Sequence, residues 1–155
     1  MTTYATSSRF PQDQSAGETA KILVGDELPQ LVLEASVRNI VSTAIATRDY
    51  QDVHHDIAAA QERGSQTIFT NILTSNGYCI RFVTDWTGPD TVVKRAEIRL
   101  GVPNYAGDTM TMTGSGPEVE PTDEGTLVTV AVQGANSLGN HVTGTVTVLL
   151  PGDGS

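Results

Sequence analysis

In the second half of the chain, apolar and polar positions alternate. In VKRAEIRL (93–100), Ala96, Ile98 and Leu100 alternate with Arg95, Glu97 and Arg99. Met110 and Met112 alternate with threonines in DTMTMTG (108–114), and LVTVAV (127–132) and HVTGTVTVLL (141–150) continue the pattern. A period of two sends successive side chains to opposite faces, so these segments predict four strands, each with one buried side. SLGN at 137–140 is short enough to close a hairpin between the last two. The first half reads differently. Residues 24–33 hold GDELP and a short apolar run, a weak strand, and IVSTAIAT (40–47) is β-branched and small, which predicts a buried strand. Asp56 is placed to cap a short helix, IAAAQER, with Gly64 as its stop. From Ile68 the period lengthens: Phe69, Ile72, Leu73, Cys79, Ile80, Val83 and Trp86 recur at steps of three and four. That spacing predicts a long helix with a broad apolar face, ended by TGP at 87–89. Gly77 costs it about 1 kcal/mol relative to Ala.

Helices grouped ahead of four consecutive strands predict an α+β domain, in which a curved antiparallel sheet covers one long helix. There is no internal repeat. The domain is expected at 22–150, after an arm at 1–21 rich in Ser, Thr, Gln and Gly that is read as flexible, and before a short tail at 151–155. The arm lacks the apolar segment of a signal peptide.

Composition narrows the function. Of 155 residues 38% are apolar, enough for a core, yet no run approaches the ~20 apolar residues of a membrane span. A net charge of -9 opposes binding to nucleic acid or to an anionic membrane, both of which ask for clustered Lys and Arg. The single cysteine, Cys79, excludes an internal disulfide and suits a reducing, cytoplasmic setting. Its neighbours Tyr78, Ile80 and Phe82 predict a buried, inert thiol.

The chemistry concentrates in RDYQDVHHD, Arg48 to Asp56, which holds two of the 3 histidines. One reading is a solvated loop that caps a helix. The other is a carboxylate and an imidazole, Asp49 and His54, bracketing one water as an acid/base pair. Adjacent rings at His54 and His55 do not aim at one ion, so no metal is expected. His55 is expected to pair with Asp52 or Asp56, and His141 to lie on the surface of its strand.

The run resembles the motif of MaoC-like, hot-dog-fold (R)-specific enoyl-CoA hydratases: Asp, any residue, Asn, Pro, any residue, His, any residue, Asp. Asp49, His54 and Asp56 fall on the motif, whereas Gln51 and Asp52 depart from Asn-Pro. GVPNYAGDTMTMTG is similar to the family's strand, turn and strand. IVSTAIATRDYQDVHHD, GSQTIFTNILTSNGYCIRFVTDWTGP and RLGVPNYAGDT resemble, more narrowly, the small subunits of actinobacterial heteromeric steroid side-chain hydratases.

The resemblance implies a hot-dog fold and addition of water to an enoyl-CoA thioester, with Asp49 and His54 catalytic. It also implies a larger MaoC-like partner subunit in a heterodimer or heterotetramer, and as substrate a steroid with a shortened, unsaturated CoA-thioester side chain. CoA belongs to the substrate and no cofactor is expected. Enolate stabilisation would fall to backbone N–H groups where the long helix begins; the family pattern has a glycine there and this chain has Asn71. Arg48 and Arg81 are candidates for the CoA phosphates, or else neutralise Asp49 and Asp85. Ser75, Asn76 and Gly77 would leave room for a bulky acyl group, and Asp85-Trp86 would either shape that pocket or simply end the helix. A thioesterase or an acyl-carrier dehydratase of this fold would want an acid on the long helix, and none lies between Ile68 and Thr84. A non-catalytic subunit is the remaining rival.

Overall fold

The computed structural model describes residues 27–151; the expected arm at 1–21 and all but the first residue of the expected tail lie outside them. Strand β1 is Leu31–Glu34, helix α1 is Val37–Ala46, and a 3-10 turn covers Asp52–His54. Helices α2 (Ile57–Glu62) and α3 (Ile72–Thr87) follow, and then β2 (Val92–Leu100), β3 (Thr109–Thr122), β4 (Gly125–Asn136) and β5 (Gly139–Pro151). The strands form one antiparallel sheet in the order β1-β3-β4-β5-β2. The four alternating segments are all strands, and the β4–β5 hairpin turns through Ser137-Leu138 as expected.

The predicted alternation builds one core face. Val128, Val130 and Val132 of β4 stand opposite Val148, Val146 and Gly144 of β5. Together with Met110 and Met112 of β3 they pack on Cys79, Phe82 and Val83 of α3. Helix and sheet meet closely at Gly114, where an added Cβ would lie 2.7 Å from the Phe82 ring. Cys79 is fully buried, and burial pushes its thiol up to about 11, in keeping with an inert role.

Residues 40–47 are not a strand. Ser36 accepts from the Asn39 N–H and starts α1, whose Ile40 and Ala44 are buried one turn apart. The β-branched residues are accommodated because Thr43 and Thr47 turn their hydroxyls back onto the carbonyls of Asn39 and Thr43, at 2.7 and 2.8 Å. Ile40 joins Ala35, Val53, Ala60 and Ile68 in a second, smaller core. Asp56 caps α2 through the Ala59 N–H, and Gly64, φ 89°, follows its end.

The long helix begins at Ile72, later than the periodicity implies. Ala106 N–H donates to Ile68, Thr70 N–H donates to Asn104, and Phe69 bridges to Tyr105, which keeps 68–70 extended. The buried face of α3 is Thr74, Ser75, Cys79, Phe82 and Val83, whereas Ile72 and Leu73 are half exposed. Gly77 faces open space and serves no close packing.

Candidate active site

The end of α1 aims Asp49. Arg48 adopts a left-handed conformation, φ 57°, and Asp49 N–H then donates to Ala44 at 2.9 Å. This six-to-one closure reverses the chain at the helix end and brings the next side chain back beside α3. The 3-10 turn supplies His54. Its Nδ1 lies 2.8 Å from the Phe69 carbonyl, and the Phe69 ring meets the imidazole edge-on at 5.0 Å between centroids. A carbonyl only accepts, so Nδ1 carries the hydrogen and Nε2 is the nitrogen left for chemistry. Nε2 faces Asp49 Oδ2 at 3.4 Å, with the two side chains 7% and 16% exposed.

Asn71 completes the group. Its Oδ1 accepts from Thr74 N–H and caps α3, while its Nδ2 donates to Asp49 Oδ2 at 3.0 Å and to Thr47 Oγ1 at 2.9 Å. One carboxylate oxygen thus meets both the capping amide and the imidazole. The expectation for Asn71 concerned its backbone alone; its side chain is tied to the site as well. The N–H groups of Ile72 and Leu73, in the first turn of α3, have no acceptor among the described residues. A cavity of about 300 Å³ opens here, lined by Asp49, His54, Asn71, Ile72, Val102 and His141 among others. Hollows of about 510 and 670 Å³ elsewhere, beside Thr113 and Gln133 and beside Lys94 and Glu124, hold no such pair.

Several expected placements are corrected. His141 is not on the surface: it is 2% exposed and lines this cavity. The pairing register slips between Gly134 and Ala135, leaving His141 without a partner on β4. Such a bulge overrides the parity that would have pointed its side chain outward. Burial holds the His141 imidazole below its ordinary range. His55 is exposed and pairs with neither carboxylate; Asp52 instead meets Arg63 at 2.7 Å, and Asp56 is spent on its cap.

Ser75 is buried against His141 rather than leaving room for substrate, and neither Asn76 nor Gly77 lines the cavity. Arg81 is exposed, bonded to Asp85 at 3.1 Å, and sits ten residues along α3, about 15 Å from Asn71 at 1.5 Å per residue. Trp86 packs against the main core instead of the cavity. Arg48 is exposed and forms no ion pair with Asp49 or with any other described carboxylate. The side chain of Asn71 carried one sequence signal: it stands where a cap would, ahead of Ile72 and Leu73.

No family model matches the chain. It is 53% identical over 124 residues to the 3-oxo-4,17-pregnadiene-20-carboxyl-CoA hydratase beta subunit of Mycobacterium tuberculosis, covering 80% of this chain and 93% of that one. It is also similar to a chain of the ChsH1-ChsH2 complex from the same organism, with 51% identity and a TM-score of 0.75 over 83% of this chain and 98% of that one. The R-hydratase PhaJ1 of Pseudomonas aeruginosa, 21% identical, shares the fold with a TM-score of 0.74 over 87% of this chain and 86% of that one. The sheet packed on α3 is a hot-dog fold, and the chain belongs to the family of the 3-oxo-4,17-pregnadiene-20-carboxyl-CoA hydratase beta subunit.

Proposed function

We propose that this chain is the acid/base-bearing subunit of an enoyl-CoA hydratase that adds water to a steroid whose shortened side chain is an α,β-unsaturated CoA thioester. The observation that carries the reading is the meeting of Asp49 Oδ2 and His54 Nε2 at 3.4 Å inside a cavity. It is supported by the name and identity of the mycobacterial relative.

Water seated against both groups, on their cavity side, loses a proton to Asp49 as its oxygen bonds to the β-carbon. The π pair moves toward the thioester oxygen, and the α-carbon of the enolate then takes the proton that Asp49 accepted, passed on through His54 Nε2, which also orients the water. The carboxylate is restored and one water has been added. The unspent N–H groups at the start of α3 would receive the enolate oxygen, where the helix dipole favours negative charge. Asn71 holds the carboxylate in register. The chemistry asks for no metal or cofactor, since CoA arrives with the substrate. A cytoplasmic location is part of the same proposal, and no helix among the described residues is long and apolar enough to cross a membrane.

The partner belongs to the proposal too. A cavity of about 300 Å³ lies at the lower limit of ligand pockets, so one chain encloses too little of a polycyclic thioester. A larger MaoC-like subunit would complete it; the ChsH1-ChsH2 complex supports a second, different chain.

Asp49→Asn and His54→Ala should each reduce hydration at least ~10²-fold in the complex while the fold persists. Near-wild-type turnover by either variant would remove the pair from the mechanism. A steroid enoyl-CoA should exceed crotonyl-CoA in kcat/KM. The small residues of α3 lie away from the cavity, and the preference rests on the likeness to the mycobacterial relative; the reverse preference would leave only a general hydratase.

A further inference from the structure

His141 is a buried titratable residue that the hydration chemistry does not use. Besides lining the cavity, it is joined to Asp49 through a short chain of contacts. Nδ1 lies 2.7 Å from the Val102 carbonyl and therefore carries the hydrogen, which leaves Nε2 facing Ser75 Oγ at 2.8 Å. The Ser75 hydroxyl has a single proton and two neighbours, the second being the Asn71 carbonyl at 3.0 Å. Nε2 carries no hydrogen and can only accept, so the hydroxyl proton goes to it, while the Asn71 carbonyl keeps the Ser75 backbone N–H at 3.1 Å, the first bond of the helix. Ser75 is fully buried one turn beyond Asn71, whose side chain holds Asp49 at 3.0 Å. A bulge in β5 is needed to aim His141 this way, and Gly101, whose Cβ would collide with the Asn140 carbonyl, lets the chain after β2 lie close beside it.

We propose that His141 is a positioning residue: by holding the Ser75 hydroxyl it seats the first turn of α3 on β5, and so fixes the Asn71 amide that carries Asp49. The proposal rests on the reading of Asp49 and His54 as the acid/base pair. It acts on kcat, because displacing the carboxylate leaves substrate binding intact while spoiling the attack geometry.

Two substitutions separate this role from packing. His141→Asn places a donor where Nδ1 was and keeps the Val102 bond, but it loses contact with Ser75. His141→Gln places its amide where Nε2 was and keeps Ser75. In the complex with the partner subunit, His141→Asn and Ser75→Ala should lower kcat about tenfold with KM within about twofold, and His141→Gln should recover most of that loss. Equal losses in the Asn and Gln variants, or unchanged kcat in Ser75→Ala, would overturn the proposal. A readout without substrate tests the clamp itself. The Asn71 side-chain amide resonances should move in His141→Asn and Ser75→Ala and hold near their wild-type positions in His141→Gln. If the wild-type complex hydrates no enoyl-CoA, the functional reading fails and these resonances still decide the clamp. Unmoved resonances in His141→Asn and Ser75→Ala would refute it.

Discussion

At the residue scale, Arg48 takes a backbone conformation that glycine adopts freely. The left-handed region costs a side-chain-bearing residue about 1–2 kcal/mol, yet a long cation stands there, exposed, beside the candidate base. Arg48→Gly should therefore stabilise the fold by about 0.5–1 kcal/mol, read as a higher urea midpoint at constant m. If the guanidinium meets CoA phosphates, the same change should raise KM for acyl-CoA several-fold and spare kcat; an unchanged KM would leave Arg48 as a helix terminator only. His141 has a pH consequence. Burial lowers its folded pKa, so its contribution to stability is present above the unfolded value, near 6.5, and is lost as pH falls through the lower folded value. Urea midpoints of His141→Gln should lose less than wild type on going below about pH 6.5. Asp49 and His54 were legible in the sequence because their spacing lies within one short run. His141 was not, because the bulge that turns it inward depends on pairing between strands that a linear pattern does not encode.

At the scale of elements, the four strands of the second half were legible because period-two alternation is also the pleat of the sheet. α1 was not. Its β-branched composition favours a strand, and what decides the matter is a cap, an i, i+4 pair of buried residues and two threonines bonded to their own helix. Ser36→Ala should then cost about 1 kcal/mol, measured by chemical unfolding, since it orphans the Asn39 N–H. No measurable loss would mean that tertiary packing alone holds α1. α3 shows the same limit in reverse. Ile68 and Phe69 fit its periodicity but belong to an extended segment fixed by Tyr105 and Asn104, so the true start, and with it the place of Asn71, follows from tertiary contacts. Gly101 marks where β2 leaves the sheet. A Cβ there would strike the Asn140 carbonyl, so Gly101→Ala should destabilise by about 2–3 kcal/mol and should also weaken turnover, because Val102, the next residue, anchors His141.

At the scale of the whole molecule, the sheet of the described residues ends at β2, which pairs among them on one side only and exposes Val92 and Val93. Unpaired edges of this kind invite another strand. Ile72 and Leu73, half exposed at the start of α3, are apolar surface beside the site that the described residues leave uncovered. The charge of -9, with only 9 Lys and Arg, leaves few cations for the CoA phosphates. The proposed division of labour follows: this subunit brings Asp49, His54 and Asn71, while the partner covers the apolar rim and supplies much of the CoA-binding surface. The isolated chain should then bind acyl-CoA weakly and turn over slowly, even where it pairs with itself through β2. Co-purification with the proposed larger MaoC-like subunit should restore both, chiefly through KM, because the acid/base pair is already assembled within one chain. The measurement is kcat and KM for the chain alone and for the complex at matched active-site concentration. A complex that improves kcat alone would place catalytic groups on the partner, and full turnover by the isolated chain would show that its own cavity suffices.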